Sequence, residues 1–166
     1  MTAADIRLDQ IATIGVYGAD LDAFLTALRD AGIDLLLDVR QRRGVRGAQY
    51  AWANAGRLEA ALREAGIGYQ HLPELAPTTA MRESQYEADA ERGEGKRSRT
   101  VLAPSYVERY TEEILDPADL DPLVRFIGRA NAALFCVERD APACHRSLIA
   151  TRLARDYGAR IVNLRA

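Results

Sequence analysis

Cysteine and histidine are scarce in this chain of 166 residues, which has two of each. Two cysteines are too few for a scaffold held together by disulfides, and a chain of this length can bury a hydrophobic core without such links. We therefore expect both cysteines to be free thiols, as is usual in the cytoplasm.

Long apolar runs and a strong net charge are also missing. No uninterrupted apolar stretch approaches the length of a membrane span, and the first residues lack the basic and apolar regions of a signal peptide. We expect a cytoplasmic location and no membrane partner. The formal net charge of −2 does not attract nucleic acid to the chain as a whole, although a local basic patch could do so. The sequence does not indicate whether the chain forms homo-oligomers.

Several common signatures are absent. Neither cysteine is followed by an arginine six positions later, which excludes a C-x5-R phosphatase loop, and no Walker loop or GxGxxG motif opens a helix. Both cysteines with His145 would give a metal ion three ligands, but Cys144 and His145 are adjacent in the sequence, which suits tetrahedral closure poorly. We expect neither a metal ion nor a cofactor.

Apolar runs of strand length alternate with amphipathic stretches of helical spacing along the chain. This alternation favours a mainly parallel sheet with helices on both faces. We predict a single α/β domain over residues 1–166, a three-layer fold with about five strands and a Rossmann-like or rhodanese-like general architecture. The predicted strands are 11–15, 33–39, 68–72, 132–137 and 160–164. One predicted helix begins after Asp20, and the others occupy 54–65, 105–115, 119–129 and 143–157.

The segment at about 73–103 differs from the rest because it shows little periodicity. Residues 82–99 carry five basic and five acidic side chains. We expect a long polar excursion, partly helical around 81–90. Long loops of this kind are often functional lids, but balanced charge also fits a solvated insertion without a function.

The ends of three predicted strands carry polar residues or glycines. Gly15 and Tyr17 lie at and just after the end of the first strand, and Asp38 and Arg40 lie around the end of the second strand. Glu138 directly follows the fourth strand. Ligands of parallel sheets bind outside the carboxyl ends of the strands. Because all these residues lie at such ends, we predict that they share one site.

Cys144 is the strongest candidate for chemistry, because it falls at or near the N-cap of the last long helix. Free N–H groups and the helix dipole stabilise a thiolate at such a position. Glu138 could orient the neighbouring His145 imidazole, as in a nucleophile–base–orienter arrangement, or form a salt bridge with His145 or Arg146 that fixes the loop. Cys136 lies inside an apolar strand, and we expect it to belong to the core. A redox pair of Cys136 and Cys144 is conceivable, but their spacing of eight is not that of a CxxC motif.

Anion binding is predicted for two places. Arg146 and Ser147 lie in the first turn of the last helix, where they could hold an oxyanion or could instead cap or support the loop. An arginine-rich loop at 40–46 follows the second strand. The planar guanidinium binds phosphate or carboxylate through two parallel hydrogen bonds. The residues expected to contact substrate are Gly15, Tyr17, Asp38, Arg40, Arg43, Tyr69, Arg146 and Ser147.

Several motifs together resemble the DUF488 family, a set of small proteins of unassigned function. The resemblance runs from about 11 to 164 and implies an α/β three-layer fold with the motifs gathered into one site; it supplies no reaction. The motifs are Thr13-Ile14-Gly15, Asp38-Val39-Arg40, Gly66-Ile67-Gly68-Tyr69, the aromatic stretch Tyr106–Tyr110, and Cys136-x-Glu138 followed by Cys144-His145-Arg146.

Three interpretations of these residues stay open. In the first, the protein is a thiol-dependent enzyme with Cys144 as nucleophile and an anionic small molecule, such as a nucleotide or phosphorylated metabolite, as substrate. In the second, it is a non-catalytic module that binds nucleic acid or a nucleotide through the arginine loop 40–46. In the third, the Cys-His-Arg motif only ties a strand to a helix.

Overall fold

Five parallel strands form the centre of the protein. The computed structural model describes residues 6–166. The strands are β1 (Gln10–Ile14), β2 (Leu35–Asp38), β3 (Gly68–His71), β4 (Ala132–Phe135) and β5 (Arg160–Asn163). Their order in the sheet is β3-β2-β4-β1-β5, and every neighbouring pair runs parallel. The predicted α/β class and strand number are confirmed.

Helices surround this sheet in a three-layer α/β arrangement. They are α1 (Leu21–Asp30), α2 (Ala55–Glu64), α3 (Thr79–Glu91), α4 (Pro104–Tyr110), α5 (Asp121–Ile127) and α6 (His145–Tyr157). A π-helical turn over Thr111–Leu115 continues α4, and 3-10 turns occupy Ala48–Ala53, Pro73–Leu75 and Ala141–Ala143. Within residues 6–166, no helix is long and apolar enough to cross a membrane.

The core follows from the hydrophobic pattern of these elements. Every residue of β4 is fully buried, as expected for a central strand covered on both faces. Phe24 and Leu28, four residues apart on one face of α1, are also fully buried. The Phe24 ring packs edge-on against Phe135, with 5.4 Å between the ring centroids.

The register of the sheet brings three strand ends together. Ile14 and Asp38, the last residues of β1 and β2, both pair with Phe135, the last residue of β4. The chain segments that follow these three strands therefore leave the sheet side by side. This is where ligands bind in open parallel sheets, as the sequence predicts.

The polar excursion at 73–103 is anchored in the protein, which corrects the interpretation of a solvated insertion. Its helix α3 includes the predicted helical part, 81–90. Gln85, Asp89 and Arg99 are polar residues of this segment, yet each exposes only 2–6% of its surface. The Leu102 amide donates to the Pro142 carbonyl over 3.1 Å, so the end of the excursion is bound to the loop that precedes α6.

Candidate functional site

Cys144 is the N-cap of α6, as its position in the sequence predicts. Its backbone is extended, and its Sγ atom accepts a hydrogen bond from the Arg146 amide at 3.5 Å. The same sulfur lies 3.7 Å from Nδ1 of His145. The side chain is almost completely buried, with 1% of its surface exposed, and α6 is long enough for its dipole to favour a negative charge at this end.

The backbone directly after β2 orients the His145 ring through the Val39 carbonyl. Nε2 lies 2.7 Å from the Val39 carbonyl oxygen, which can only accept a hydrogen bond, so Nε2 carries a proton. Nδ1 therefore faces the Cys144 sulfur. Burial lowers the pKa of His145, but the charge of Cys144 and the hydrogen bond with it, together with the charge of Glu138 and the hydrogen bond with Val39, outweigh burial and raise that pKa above its usual value.

The surroundings of Cys144 favour its ionised form. Burial alone would raise the pKa of the Cys144 thiol. A hydrogen bond from Cys136 and the positive charges of His145 and Arg146 act in the opposite direction and hold this pKa well below its usual value. The arrangement places a buried thiol next to an imidazole at a helix N-terminus, an environment that favours the thiolate and in which thiols become nucleophilic.

Cys136 lies beside Cys144, although eight positions separate the two in the sequence. Both cysteines are free, and both line the same cavity. The hydrogen bond to Cys144, followed by burial, raises the pKa of Cys136 well above its usual value. The pKa values of the two thiols thus shift in opposite directions, which favours a negative charge on Cys144 and a proton on Cys136. Cys136 is buried, as expected, but it is also part of the site.

Three soft ligand atoms meet at this point. The Sγ atoms of Cys136 and Cys144 and a ring nitrogen of His145 all lie within 4.8 Å of one another. Many catalytic zinc sites have three protein ligands. A ligating histidine typically donates a hydrogen bond from its other ring nitrogen, as His145 Nε2 does to the Val39 carbonyl. The adjacency of Cys144 and His145 thus leaves their ligand atoms close enough for one metal ion, in contrast to the expectation from sequence spacing.

Glu138 forms its ion pair with Arg99, which corrects the expectation of a partner in Arg146 or His145. Arg99 Nη2 lies 2.7 Å from Glu138 Oε1, and Arg99 Nη1 lies 2.6 Å from Asp89 Oδ2; all three side chains are buried. Burial and the negative charge of Cys144 raise the pKa of Glu138 in spite of Arg99. Among the described residues, Glu138 Oε2 has no hydrogen-bond partner.

Arg146 supports the loop before α6 from inside the protein. Its side chain is completely buried, and its Nη1 and Nη2 atoms donate to the carbonyl oxygens of Glu138 and Arg139 at 2.7 and 3.3 Å. The Ser147 hydroxyl donates to the Cys144 carbonyl at 2.8 Å. Both residues therefore lie next to Cys144, as predicted, but their polar groups bind the main chain.

Gly15 lies directly beneath the loop that carries Glu138. A Cβ atom at this position would be only 1.9 Å from the Glu138 carbonyl oxygen, so the close approach of the two backbones requires glycine. Immediately after it, the amides of Val16 and Tyr17 both donate to the Val137 carbonyl. Gly15 thus sets the position of Glu138 through the backbone.

Asp38 and Arg40 form a second buried pair at the end of β2. Arg40 Nε and Nη2 donate to the two Asp38 oxygens at 2.9 and 2.8 Å. The Tyr69 hydroxyl donates to Asp38 Oδ2 at 2.6 Å; burial and then this hydrogen bond raise the pKa of Tyr69 to about 12. Arg43 pairs with Glu59 at the edge of this group. Of these residues, Arg40 lies on the wall of the cavity that contains Cys144.

The cavity above the two thiols is small. It encloses about 50 Å³, which is room for a few atoms of the size of water. Cys136, Cys144 and His145 form one side, and Arg40 and Glu138 lie among the other lining residues. The deepest part of the site therefore accepts only a small group or one end of a larger molecule.

A wider cleft of about 690 Å³ adjoins this cavity. The two share Arg42, Arg82, Tyr86 and Lys96 on their walls. The cationic side chains of the cleft, which we call the basic cleft, are Arg42, Arg46, Arg82, Lys96 and Arg97.

Tyr17 and Arg97 line the basic cleft, and Tyr50 packs against both of them. The two rings lie 5.3 Å apart, and the Arg97 guanidinium lies 5.4 Å from the Tyr17 ring and 5.1 Å from the Tyr50 ring. Among the predicted substrate contacts, Tyr17 therefore lines the cleft rather than the cavity. Some of the predicted residues thus line the cavity or the cleft, and the others hold the surrounding chain in place through hydrogen bonds and ion pairs.

Sequence reasoning missed the contribution of the polar excursion. Arg82, Lys96, Arg97 and Arg99 all come from it, and all lie in the cleft or the cavity. The excess of arginine and lysine at 96–99, directly after Gly95, was the available signal, but equal numbers of acidic residues nearby concealed it.

Comparison with known proteins identifies the family. Residues 20–153 match the model described as Domain of unknown function DUF488, and the chain belongs to this family, as its motifs indicate. No curated protein and no solved structure matched the chain at the significance required.

Proposed function

We propose that this DUF488 protein is a thiol-dependent enzyme that acts on an anionic substrate, a nucleotide or another phosphorylated molecule. One observation carries the proposal. The Cys144 sulfur lies 3.5 Å from a helix N-terminal amide and 3.7 Å from His145 Nδ1, on the wall of a cavity that adjoins the basic cleft. A thiolate and a set of cations in one place suit nucleophilic attack on a negatively charged molecule.

In this proposal Cys144 is the nucleophile and His145 keeps it ionised. The thiolate forms a bond to the electrophilic atom of the substrate while the leaving group departs. The His145 imidazolium, whose Nδ1 lies beside the sulfur, is the candidate proton donor to that group. Water or a second nucleophile then releases the product from the sulfur.

The basic cleft supplies the binding energy for the anionic part of the substrate. Arg42, Arg82 and Lys96 lie where the cleft and the cavity meet, so they can hold a phosphate group while its attached atoms reach Cys144. Tyr17 and Tyr86 offer aromatic surface in the same cleft for a ring system such as a nucleobase. The small cavity admits only the reacting group.

Alkylation of the folded protein tests this proposal. Iodoacetamide should modify Cys144 near neutral pH, and peptide mass spectrometry should locate the label there. Pyrophosphate and adenosine monophosphate, used as probes of the cleft, should slow the reaction, while Cys144→Ser should abolish it. A Cys144 that reacts only after unfolding, with no thiolate detectable in the folded protein, would mean a packed thiol and would overturn the proposal.

A non-catalytic nucleic-acid or nucleotide-binding module is the second candidate. The observation that favours it is the set of five cations in the basic cleft, with tyrosines on which bases can stack. A single-stranded oligonucleotide would then bind with an affinity that falls with salt. Arg42→Ala would weaken this binding and Cys144→Ala would not, whereas Arg125→Ala on α5 serves as the control for loss of one positive charge.

A further inference from the structure

We propose that Cys136 and Cys144 form a dithiol site that hydrogen peroxide converts reversibly into an intramolecular disulfide. This inference rests on the proposed role of Cys144 as a nucleophile and extends it to a second substrate and to control of the same site. Three observations support it: the proximity of the two sulfurs, the size of the cavity, and the charges around it.

The two sulfur atoms are placed for bond formation. They lie within 4.8 Å of each other in the reduced protein, and a disulfide needs about 2 Å, so each sulfur has only a short distance to move. The segment between the cysteines is a loop with one 3-10 turn at Ala141–Ala143. Cys144 itself precedes the first residue of α6 and has extended backbone.

The cavity selects for a small oxidant. With about 50 Å³ it has room for a molecule of two heavy atoms, whereas a bulky disulfide would have to displace its walls. Both sulfurs line this cavity, as do the cationic side chains of Arg42 and Lys96. Such charges stabilise the negative charge that develops on the departing oxygen when the O–O bond breaks.

The chemistry balances with hydrogen peroxide as the oxidant. The Cys144 thiolate attacks one oxygen, the O–O bond breaks with its electron pair on the other oxygen, and that oxygen takes a proton and leaves as water. Cys144 then carries a sulfenic acid. The sulfur of Cys136 attacks the Cys144 sulfur, the S–S bond forms, and the hydroxyl group leaves as a second water with the Cys136 proton. Two thiols are oxidised and one peroxide is reduced.

The difference between the two thiols fits this order of events. Cys144 is the N-cap of α6, with the Arg146 amide 3.5 Å and His145 Nδ1 3.7 Å from its sulfur, so it reacts first and Cys136 attacks second. The disulfide protects Cys144 from irreversible oxidation and removes the nucleophile until an external dithiol reduces it.

The test is oxidation of the reduced, folded protein by one equivalent of hydrogen peroxide, with a chelator present to keep metal ions off the thiols. We expect loss of two hydrogen atoms by intact mass and a Cys136–Cys144 cross-link by peptide mapping, reversed by dithiothreitol. The reaction should be about 10-fold or more faster than that of a free thiol at neutral pH, because a free thiol is only a few per cent ionised there.

Two variants define the order of the steps. Cys136→Ser should stop at a Cys144 sulfenic acid, which dimedone traps and excess peroxide oxidises further, whereas Cys144→Ser should lose the fast reaction. Circular dichroism establishes that each variant is folded. In the unmodified chain, oxygen addition at Cys144 without a cross-link, or no reaction faster than a free thiol, would overturn the inference. If Cys144 still ionises at neutral pH in that case, the proposed enzyme stands.

Discussion

Arg99 and Glu138 form a buried ion pair, with 2.7 Å between Nη2 and Oε1, that joins the polar excursion to the end of β4. Arg99 also contacts Asp89 on α3, and its Nε donates to the Ala143 carbonyl just before Cys144. One guanidinium therefore fixes three parts of the chain around the site. Its position explains why a segment with so many charges has a defined place.

Replacement of Arg99 by methionine should destabilise the protein strongly. Glu138 and Asp89 would be left buried without their cation, which costs about 3–5 kcal/mol. Urea denaturation measures the free energy of unfolding. The control is Arg109→Met, which breaks an exposed pair with Glu113 and should cost less than about 1 kcal/mol. Equal losses in the two variants would contradict the role given to Arg99.

Replacement of Gly15 by alanine should disturb the Glu138 loop. The new methyl group would lie 1.9 Å from the Glu138 carbonyl oxygen, so one backbone must shift, at a cost of about 1–3 kcal/mol. Gly56→Ala on α2 is the matched control, because no atom lies within 4 Å of the new methyl group. Alanine in a helix should raise the free energy of unfolding by about 0.5–1 kcal/mol. Thermal or urea unfolding distinguishes the two, and a neutral Gly15→Ala would argue against the close contact.

Lys96 should draw anionic reagents to Cys144, since it lies on the walls of both the cavity and the basic cleft. We expect Lys96→Gln to reduce the ratio of alkylation rates of Cys144 by iodoacetate and iodoacetamide. The reduction should be roughly five-fold at low salt, which corresponds to about 1 kcal/mol between two charges. Added salt should shrink the effect. Arg92→Gln removes an exposed charge from the same excursion; if it changed the ratio as much, a specific role for Lys96 would be excluded.

The sequence predicted the arrangement of strands better than the pairing of side chains. The alternation of apolar and amphipathic stretches was sufficient for a parallel sheet, and the position of Cys144 before a helix was readable from local pattern. The neighbours of Cys144 were not. Cys136 reaches it through the course of a loop, and Arg99 reaches Glu138 from 39 positions away along an excursion without periodicity. Such contacts depend on tertiary packing, which leaves no local signal.

The effect of His145 on the ionisation of Cys144 can be tested with His71 as the control. His145→Gln removes the positive charge next to Cys144, so the pKa of Cys144 should rise and its thiolate should be lost at a higher pH than in the unmodified chain. His71→Gln removes a ring that binds the Arg40 carbonyl at 2.9 Å and should leave this titration unchanged. Ultraviolet absorbance of the thiolate follows both variants. A titration that does not change in His145→Gln would mean that the imidazole has no part in ionising the thiol.

The most direct test of the central claim is the thiolate absorbance of the folded, reduced protein as the pH is lowered, compared with that of Cys144→Ser. Because the pKa of Cys144 is depressed, one thiolate should persist at neutral pH and disappear only as the pH falls through that lowered value. The signal should be missing in Cys144→Ser and retained in Cys136→Ser. A protein that shows thiolate absorbance only above the ordinary thiol pKa of about 8.5 would contradict the account.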